Sequence, residues 1–307
     1  MIRSSFAAVF ALAAVTMSQP AFAQISDDVV CIGILGDMSG PNADQQGPGD
    51  VVAARMAVAD FGGKVRGAPI EVIGGDLLGK TDVGVGIARR WFDQGVDAIF
   101  SLGNSSVAIA VRAMAQEKNR ITIATSAGSD ALTNMACTPV SLHWTFDTYA
   151  MPAALATAIV GEGGRDWYFL NIDYAFGHAV EAQAARFVLA GGGHVLGDTP
   201  HPPGETDFSA SLGKAAQYGA TVLGLATSGA PMMNALKQFQ EFGLNKNMRP
   251  AALLTDVTDL HALGLPETQS LLFVAAYYWN QNDATRNFAE RFRKIHVAMP
   301  TMFQASV

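Results

Sequence analysis

Short apolar runs alternate with helical periodicity almost from end to end of this chain. VVCIGIL (29–35), IEVIGG (70–75), VDAIFSL (96–102) and RITIAT (120–125) read as strands buried in a sheet. Between them, DVVAARMAVADF (50–61) carries Val51, Val52, Met56 and Ala59 at helical spacing, and SSVAIAVRAMAQE (105–117) is a second helix. The helix after the second strand is expected to be capped by Thr81, to face the core with Val83, Ile87 and Trp91, and to end at Gly95. Past VSLHWTFDTYAM (140–151) the rhythm restarts. ALATAIVGEG, GHAVEAQAARFVLAGG and APMMNALKQFQEFG read as helices, set among the strands DWYFLNI (166–172), HVLG, ATVLGLA (220–226) and AALLT. A last strand, LLFVAAYYW (271–279), precedes the helix NDATRNFAERFRKIHV.

Strands joined by crossover helices pair in parallel, with right-handed connections, so the fold class is α/β. The length is generous for one domain and suits two lobes. The seam falls near 145–150, where a strand-like run meets Asp147-Thr148-Tyr149, and a second crossing is expected at 275–280.

The first residues, MIRSSFAAVFALAAVTMSQPAFA, hold one cation, Arg3, then an uncharged apolar stretch closed by Ala21-Phe22-Ala23. That is the form of a secretory signal peptide cut after Ala23, which places the protein in the periplasm. No later stretch is long and apolar enough to span a bilayer. The formal net charge is −7, and losing Arg3 makes it one unit more negative. An acidic chain with no basic cluster is no nucleic-acid binder. Cys31 and Cys137 have neither C-x-x-C nor metal-ligand spacing, so they are either isolated thiols or a disulfide. The six histidines are scattered, and G-x-S-x-G and H-E-x-x-H are absent. No catalytic group, metal site or cofactor is expected.

One motif competes with that reading. Gly74-Gly75-Asp76-Leu77-Leu78-Gly79-Lys80-Thr81 matches the P-loop, in which backbone N–H groups cradle phosphates and Lys meets the terminal ones. An exported chain meets little ATP, and a P-loop needs a metal-binding Asp on a second strand of the same sheet. The simpler reading is a solvent loop with a helix start at Lys80-Thr81-Asp82. Gly33, Gly36 and Gly40 do not have dinucleotide-fingerprint spacing.

The opening IGILGDMSGP followed by VVAARMAVADFGG resembles the solute-binding proteins of ABC importers, of the Leu/Ile/Val-binding type. The resemblance continues through KVRGAPIEVIGGD, ARRWFDQGVDAIFSLGNSSVAIAV, ITIATSAGSDALT, DYAFGH and GETDFSASLGKAAQYGATVLGL, in order. It implies a two-lobed type I periplasmic binding fold, each lobe a parallel sheet flanked by helices. The expected division is a signal peptide at 1–23, a first lobe of 24–146 with 277–307, and a second lobe of 147–276. The implied role is capture of a small organic solute, an amino acid or aromatic carboxylate, for delivery to an importer's membrane permease, by a monomer. A ligand-sensing domain of the same fold is the alternative. Family members continue past PTMFQASV, which implies an incomplete first lobe with exposed apolar surface.

Ligands of open α/β sheets sit beyond the carboxyl ends of the strands. There, Asn104 and Ser105 open a helix whose free N–H groups suit a carboxylate, or else simply cap it. By resemblance, Ser126 and Gly128 supply contacts after the strand at 120–125, Phe176 covers the ligand from the other lobe, and Asp256 pairs with a ligand ammonium or caps the next helix. Ser228 follows the strand at 220–226. Gln46 stands where amino-acid binders carry an aromatic residue, a departure that favours an aromatic acid. Trp144 and Phe146 either enrich the cleft in π surface or pack beneath the interlobe connection.

Overall fold

The computed structural model describes residues 28–40, 42–264 and 266–307. The expected signal peptide and its cleavage site lie outside the described residues, as does Pro41 of the first turn.

Two sheets organise the chain. The first joins β1 (Val30–Gly36), β2 (Lys64–Val65), β3 (Ala68–Asp76), β4 (Ala98–Ser101), β5 (Ile121–Ala124) and β6 (Ser141–His143) in the order β2-β3-β1-β4-β5-β6. All pairings are parallel except the short β2–β3 hairpin, which the sequence pattern did not predict. The second joins β7 (Asp166–Ile172), β8 (His194–His201), β9 (Val222–Ala226), β10 (Arg249–Ala252) and β11 (Leu272–Phe273) as β11-β10-β9-β7-β8, all parallel. Helices α1 (Pro48–Phe61), α2 (Thr81–Asp93) and α3 (Ser105–Glu117) cross over the first sheet. Helices α4 (Ala150–Gly161), α5 (Ala175–Ala190), α6 (Ser209–Gln217), α7 (Gly229–Glu241) and α8 (Val257–Leu263) belong with the second.

Strand β7 shows why these runs are apolar throughout rather than alternating. Trp167 and Phe169 enter one core cluster with Val180 and Val188 of α5. Tyr168 and Leu170 enter another with Met232 and Phe239 of α7. A strand with helices on both faces has no solvent side, so every position after the first, Asp166, is buried.

Helix α9 (Asp283–Arg293) returns the chain to the first sheet's layer, where Phe292 is buried against Ala53 and Met56 of α1. Burial of that ring stabilises the return by about 2–3 kcal/mol. The exposed Arg291–Asp60 ion pair adds little. The last turn, Thr301 to Ser306, lies between the halves. Met302 and Phe303 join the core beside β7, while Gln304 sits against Gly49 of α1. An apolar groove opens on the first sheet, between Phe61 of α1 and Ile32, Ile70 and Phe100 of the strands.

Two local expectations are corrected. The run 271–279 forms only the two residues of β11, because it pairs at an edge with Ala251 and Ala252 alone and leaves Tyr278 in solvent. Lys80, not Thr81, holds the N-cap position of α2, without a side-chain cap bond. Of the two readings of the cysteines, the disulfide is the one set aside: Cys31 and Cys137 are not bridged, and Cys137 is exposed.

The P-loop match is a coincidence of strand and turn. Gly74 and Gly75 lie inside β3, and a Cβ on Gly75 would stand 2.8 Å from the Trp91 ring. Leu77 is buried in the same core. Gly75 makes room for α2 to pack on the sheet and Gly74 for Val51 of α1 on the other face; they do not cradle an anion.

Candidate functional site

In each sheet the strand order reverses direction at one strand. At β1 the chain leaves to β3 on one side and to β4 on the other; at β7 it leaves to β8 and to β9. Loops leaving such a point diverge and open a crevice at the carboxyl ends of the strands. The two crevices face each other. A cleft between them is lined from the first sheet by Asn42, Gln45 and Gln46 after β1, by Gly103, Asn104 and Ser105 after β4, and by Ser126, Ala127 and Gly128 after β5. From the second sheet come Tyr174 and Phe176 after β7, Ser228 after β9 and Leu254 after β10. Phe303 of the last turn completes it. The walls lie close together: the free cavity between them is about 20 Å³, room for about one water molecule, so a solute enters as the walls part.

Seven of the eight residues singled out from sequence therefore converge: Gln46, Asn104, Ser105, Ser126, Gly128, Phe176 and Ser228. Their local states refine what each can offer. Asn104 caps α3, its side-chain oxygen accepting from the N–H groups of Ser106 at 2.9 Å and Val107 at 3.2 Å. Those two amides are thus spent. Ser105 accepts from the Ser129 N–H at 3.3 Å, which leaves its own hydroxyl proton free to be donated. Gln46 is 3 % exposed; it donates to the Gly103 carbonyl at 3.0 Å, and its carboxamide oxygen has no protein partner. A Cβ on Gly103 would displace that carboxamide. The Ser228 hydroxyl donates to the Asn42 side-chain oxygen at 3.3 Å, across the cleft.

Asp256 is the eighth, and it does not line the cleft. It stands at the N-terminus of α8, and its Oδ2 accepts from the Met302 N–H at 2.7 Å. Of the two roles expected from sequence, the capping one describes its position. Burial pushes its carboxyl up to about 6, against the backbone bond from Met302. The neighbouring Asp259, also raised by burial, accepts from Thr255 at 3.0 Å and from Gln45 of the first sheet's layer.

Aromatic surface gathers on one side. Tyr174 and Phe176 lie 5.9 Å apart at 31°. Phe303 meets Phe146 edge-on at 5.3 Å, and Phe146 backs Gly128. The hinge aromatics divide: Phe146 is buried behind the cleft, whereas Trp144 is 66 % exposed. Tyr174, Phe303, Asn42 and Gln45 were missed from sequence. Tyr174 had a signal, standing two residues before Phe176. Phe303 had none, since its place depends on a return from the far end of the chain.

No Lys, Arg, His, Asp or Glu stands among the described residues that line the cleft. It offers neutral hydroxyls and amides on one wall and rings on the other. No group of acidic, histidine or cysteine side chains among the described residues could hold a metal ion.

The family model for periplasmic binding proteins matches residues 29–307. A periplasmic binding protein from Burkholderia mallei is 44 % identical, with a TM-score of 0.88; the match covers 91 % of this chain and 75 % of that one. A branched chain amino acid ABC transporter periplasmic ligand-binding protein from Burkholderia xenovorans LB400 is 34 % identical, with a TM-score of 0.77, over 90 % of this chain and 75 % of that one. A solute binding protein of an ABC transporter from Rhodopseudomonas palustris BisB5, in complex with 3,4-dihydroxy benzoic acid, shares the fold at 21 % identity and a TM-score of 0.79, over 91 % and 77 % of the two chains. No curated protein matches the chain.

Proposed function

This chain belongs to the periplasmic binding protein family, and we propose from that premise that it is the solute-capturing subunit of an ABC importer. It is exported by the signal at 1–23, folds as lobes of 24–146 with 277–307 and of 147–276, works as a monomer, and hands its cargo to a membrane permease. Capture closes the lobes over the solute, excludes water and presents a new surface to the permease. No bond is made or broken.

The cargo is a small organic carboxylate with an aromatic or apolar body. The observation that carries this is the composition of the lining. The Ser105 hydroxyl stands ready to donate, and Tyr174, Phe176 and Phe303 supply a sheath for a ring. An α-ammonium group would find no carboxylate on the lining, because Asp256 is turned to Met302. An aromatic acid therefore fits better than an amino acid.

A thermal-shift screen tests the reading. Benzoate, cinnamate, L-leucine, L-phenylalanine and Mg-ATP are offered to the purified protein. A ligand that binds only the native state raises Tm, by about 2.7 kcal/mol of stability at 100 times Kd. Benzoate or cinnamate is expected to raise Tm and Mg-ATP to leave it unchanged. A shift with L-leucine alone would replace the aromatic-acid assignment; a shift with Mg-ATP alone would overturn solute capture.

A further inference from the structure

Beneath the cleft floor lies an ionisable group that no ligand can touch. Asp50, in the first turn of α1, is fully buried. Its Oδ2 accepts the Ser101 hydroxyl at 2.6 Å and the Ser126 hydroxyl at 3.1 Å, while its Oδ1 has no protein partner. The two serine oxygens are 3.3 Å apart. Ser101 ends β4 and is itself buried; Ser126 follows β5 and lines the cleft. A chain of three groups thus runs from the buried foot of α1 to the ligand surface.

Each serine hydroxyl has one proton to give. While Asp50 is charged, both protons turn to it, and Ser126 shows the cleft only lone pairs. Ser105 differs, because it accepts from Ser129 N–H and keeps its proton free. A ligand carboxylate would then meet a donor at Ser105 and an acceptor at Ser126, backed by a second buried negative charge. A neutral Asp50 reverses this. Its own proton satisfies one serine oxygen, and the Ser126 proton is released toward the ligand.

We propose that Asp50 is a positioning residue that couples carboxylate binding to the uptake of one proton, the anion binding to the form in which Asp50 is neutral and Ser126 donates. The proposal rests on the carboxylate reading of the cleft. Nothing else near Asp50 takes over the role. Of the charged groups on elements packed against α1, Asp76 of β3 is held by Ser39 and the Met38 N–H, and Arg291 of α9 is bonded to Asp60. Burial and the two serine hydroxyls alone act on the Asp50 carboxyl, and burial prevails, pushing it up to about 7. The rim carboxyls are raised by burial too: Asp37 accepts from the Asn42 N–H and Asp256, pushed up to about 6, from the Met302 N–H, each with its Oδ1 unpartnered, while Asp259 accepts from Thr255 and Gln45; none of them bonds a cleft serine, and a variant at Asp50 separates them from it.

The test is isothermal titration calorimetry with benzoate, cinnamate, L-leucine and L-phenylalanine at pH 6, 7 and 8, in two buffers of different ionisation heat. Binding of the preferred carboxylate is expected to weaken about tenfold from pH 6 to pH 8, with close to one proton taken up per ligand at pH 8. Asp50→Asn, which mimics the neutral carboxyl, should bind at pH 8 as tightly as the unaltered protein does at pH 6 and take up no proton. Should that variant not fold, Ser126→Ala, which removes the hydroxyl linking Asp50 to the ligand, takes its place: it is expected to lose most of the pH dependence, and an unchanged pH dependence there overturns the proposal. A carboxylate that binds with flat affinity and no proton uptake overturns the proposal and spares the carboxylate reading. Persistence of the pH dependence in Asp50→Asn also overturns it. If none of the four binds at any pH, the carboxylate reading falls and the proposal with it.

Discussion

A buried carboxyl with no cation beside it is costly to charge, and the cost appears as a pH dependence of stability. Asp50 carries that cost. Its folded-state value, near 7, lies above its unfolded value of 3.8, so the folded form holds the proton more tightly. Its contribution to stability is complete below about pH 4 and is lost as the pH rises through about 7. The difference reaches about 4 kcal/mol, three pH units at about 1.4 kcal/mol each. Asp50→Asn should therefore melt at a higher temperature than the unaltered protein at pH 8 and at about the same temperature at pH 4, read by calorimetry at the two pH values. Sequence reveals Asp50 only as an acidic residue near a helix start, where such residues are common on surfaces. Its burial and its two serine partners come from separate strands, so no local pattern announces them. Ser105 and Ser126 were legible because each stands just after a strand at its carboxyl end, a position that periodicity can locate, and because the family resemblance singled out Ser126 within its turn.

At the level of elements, the GGDLLGKT stretch shows how one string can satisfy two physical demands. Its glycines satisfy a phosphate-loop pattern, yet Gly75 lets α2 approach β3, where Trp91 and Ile87 cover it, and Gly74 faces Val51 of α1. Gly75→Ala should cost about 1–3 kcal/mol by overpacking that contact, measured by urea denaturation. Lys80→Ala, at an exposed turn, should stay within about 0.5 kcal/mol and leave carboxylate binding unchanged. Most strands and helices were legible in the apolar periodicity, and α3 and β7 have the bounds expected. The run at 271–279 was not, because a strand's length is set by the partner beside it. Where β10 ends, β11 has nothing to pair with.

At the scale of the molecule, the two halves are joined by polar bridges as well as by chain crossings. Gln45 donates to Asp259, Ser228 to Asn42, and Gln183 of α5 to Asp130 at 2.9 Å. The Thr301 hydroxyl adds a bond to the Gln45 carbonyl at 2.6 Å. Gln45 is the knot in this set, since it touches the second sheet's layer and the last turn at once. Removing its side chain leaves a buried carboxylate short of a charge-assisted donor, worth about 1.5–3 kcal/mol. Gln45→Ala should shift the ligand-free protein toward an open form, with a larger radius of gyration in small-angle X-ray scattering. Ligand affinity should fall about tenfold or more in calorimetry, since closure must then be driven by the ligand.

Periodicity in the chain was enough to establish alternating strands and helices, parallel pairing and the turns at the carboxyl ends of the strands, because those properties depend on neighbours within a few residues. It therefore located the turns that carry the polar wall of the cleft, and the family resemblance picked Gln46, Ser126 and Gly128 within them. The tertiary structure alone decided what those residues can do there. It bonded Asp256 to Met302, set Asp50 behind Ser126, and brought Phe303 from the far end of the chain into the same cleft as Tyr174 and Phe176. Each of these depends on contacts between segments tens to hundreds of residues apart, and the hydrogen bonds and burial that such contacts create are not encoded in any local spacing.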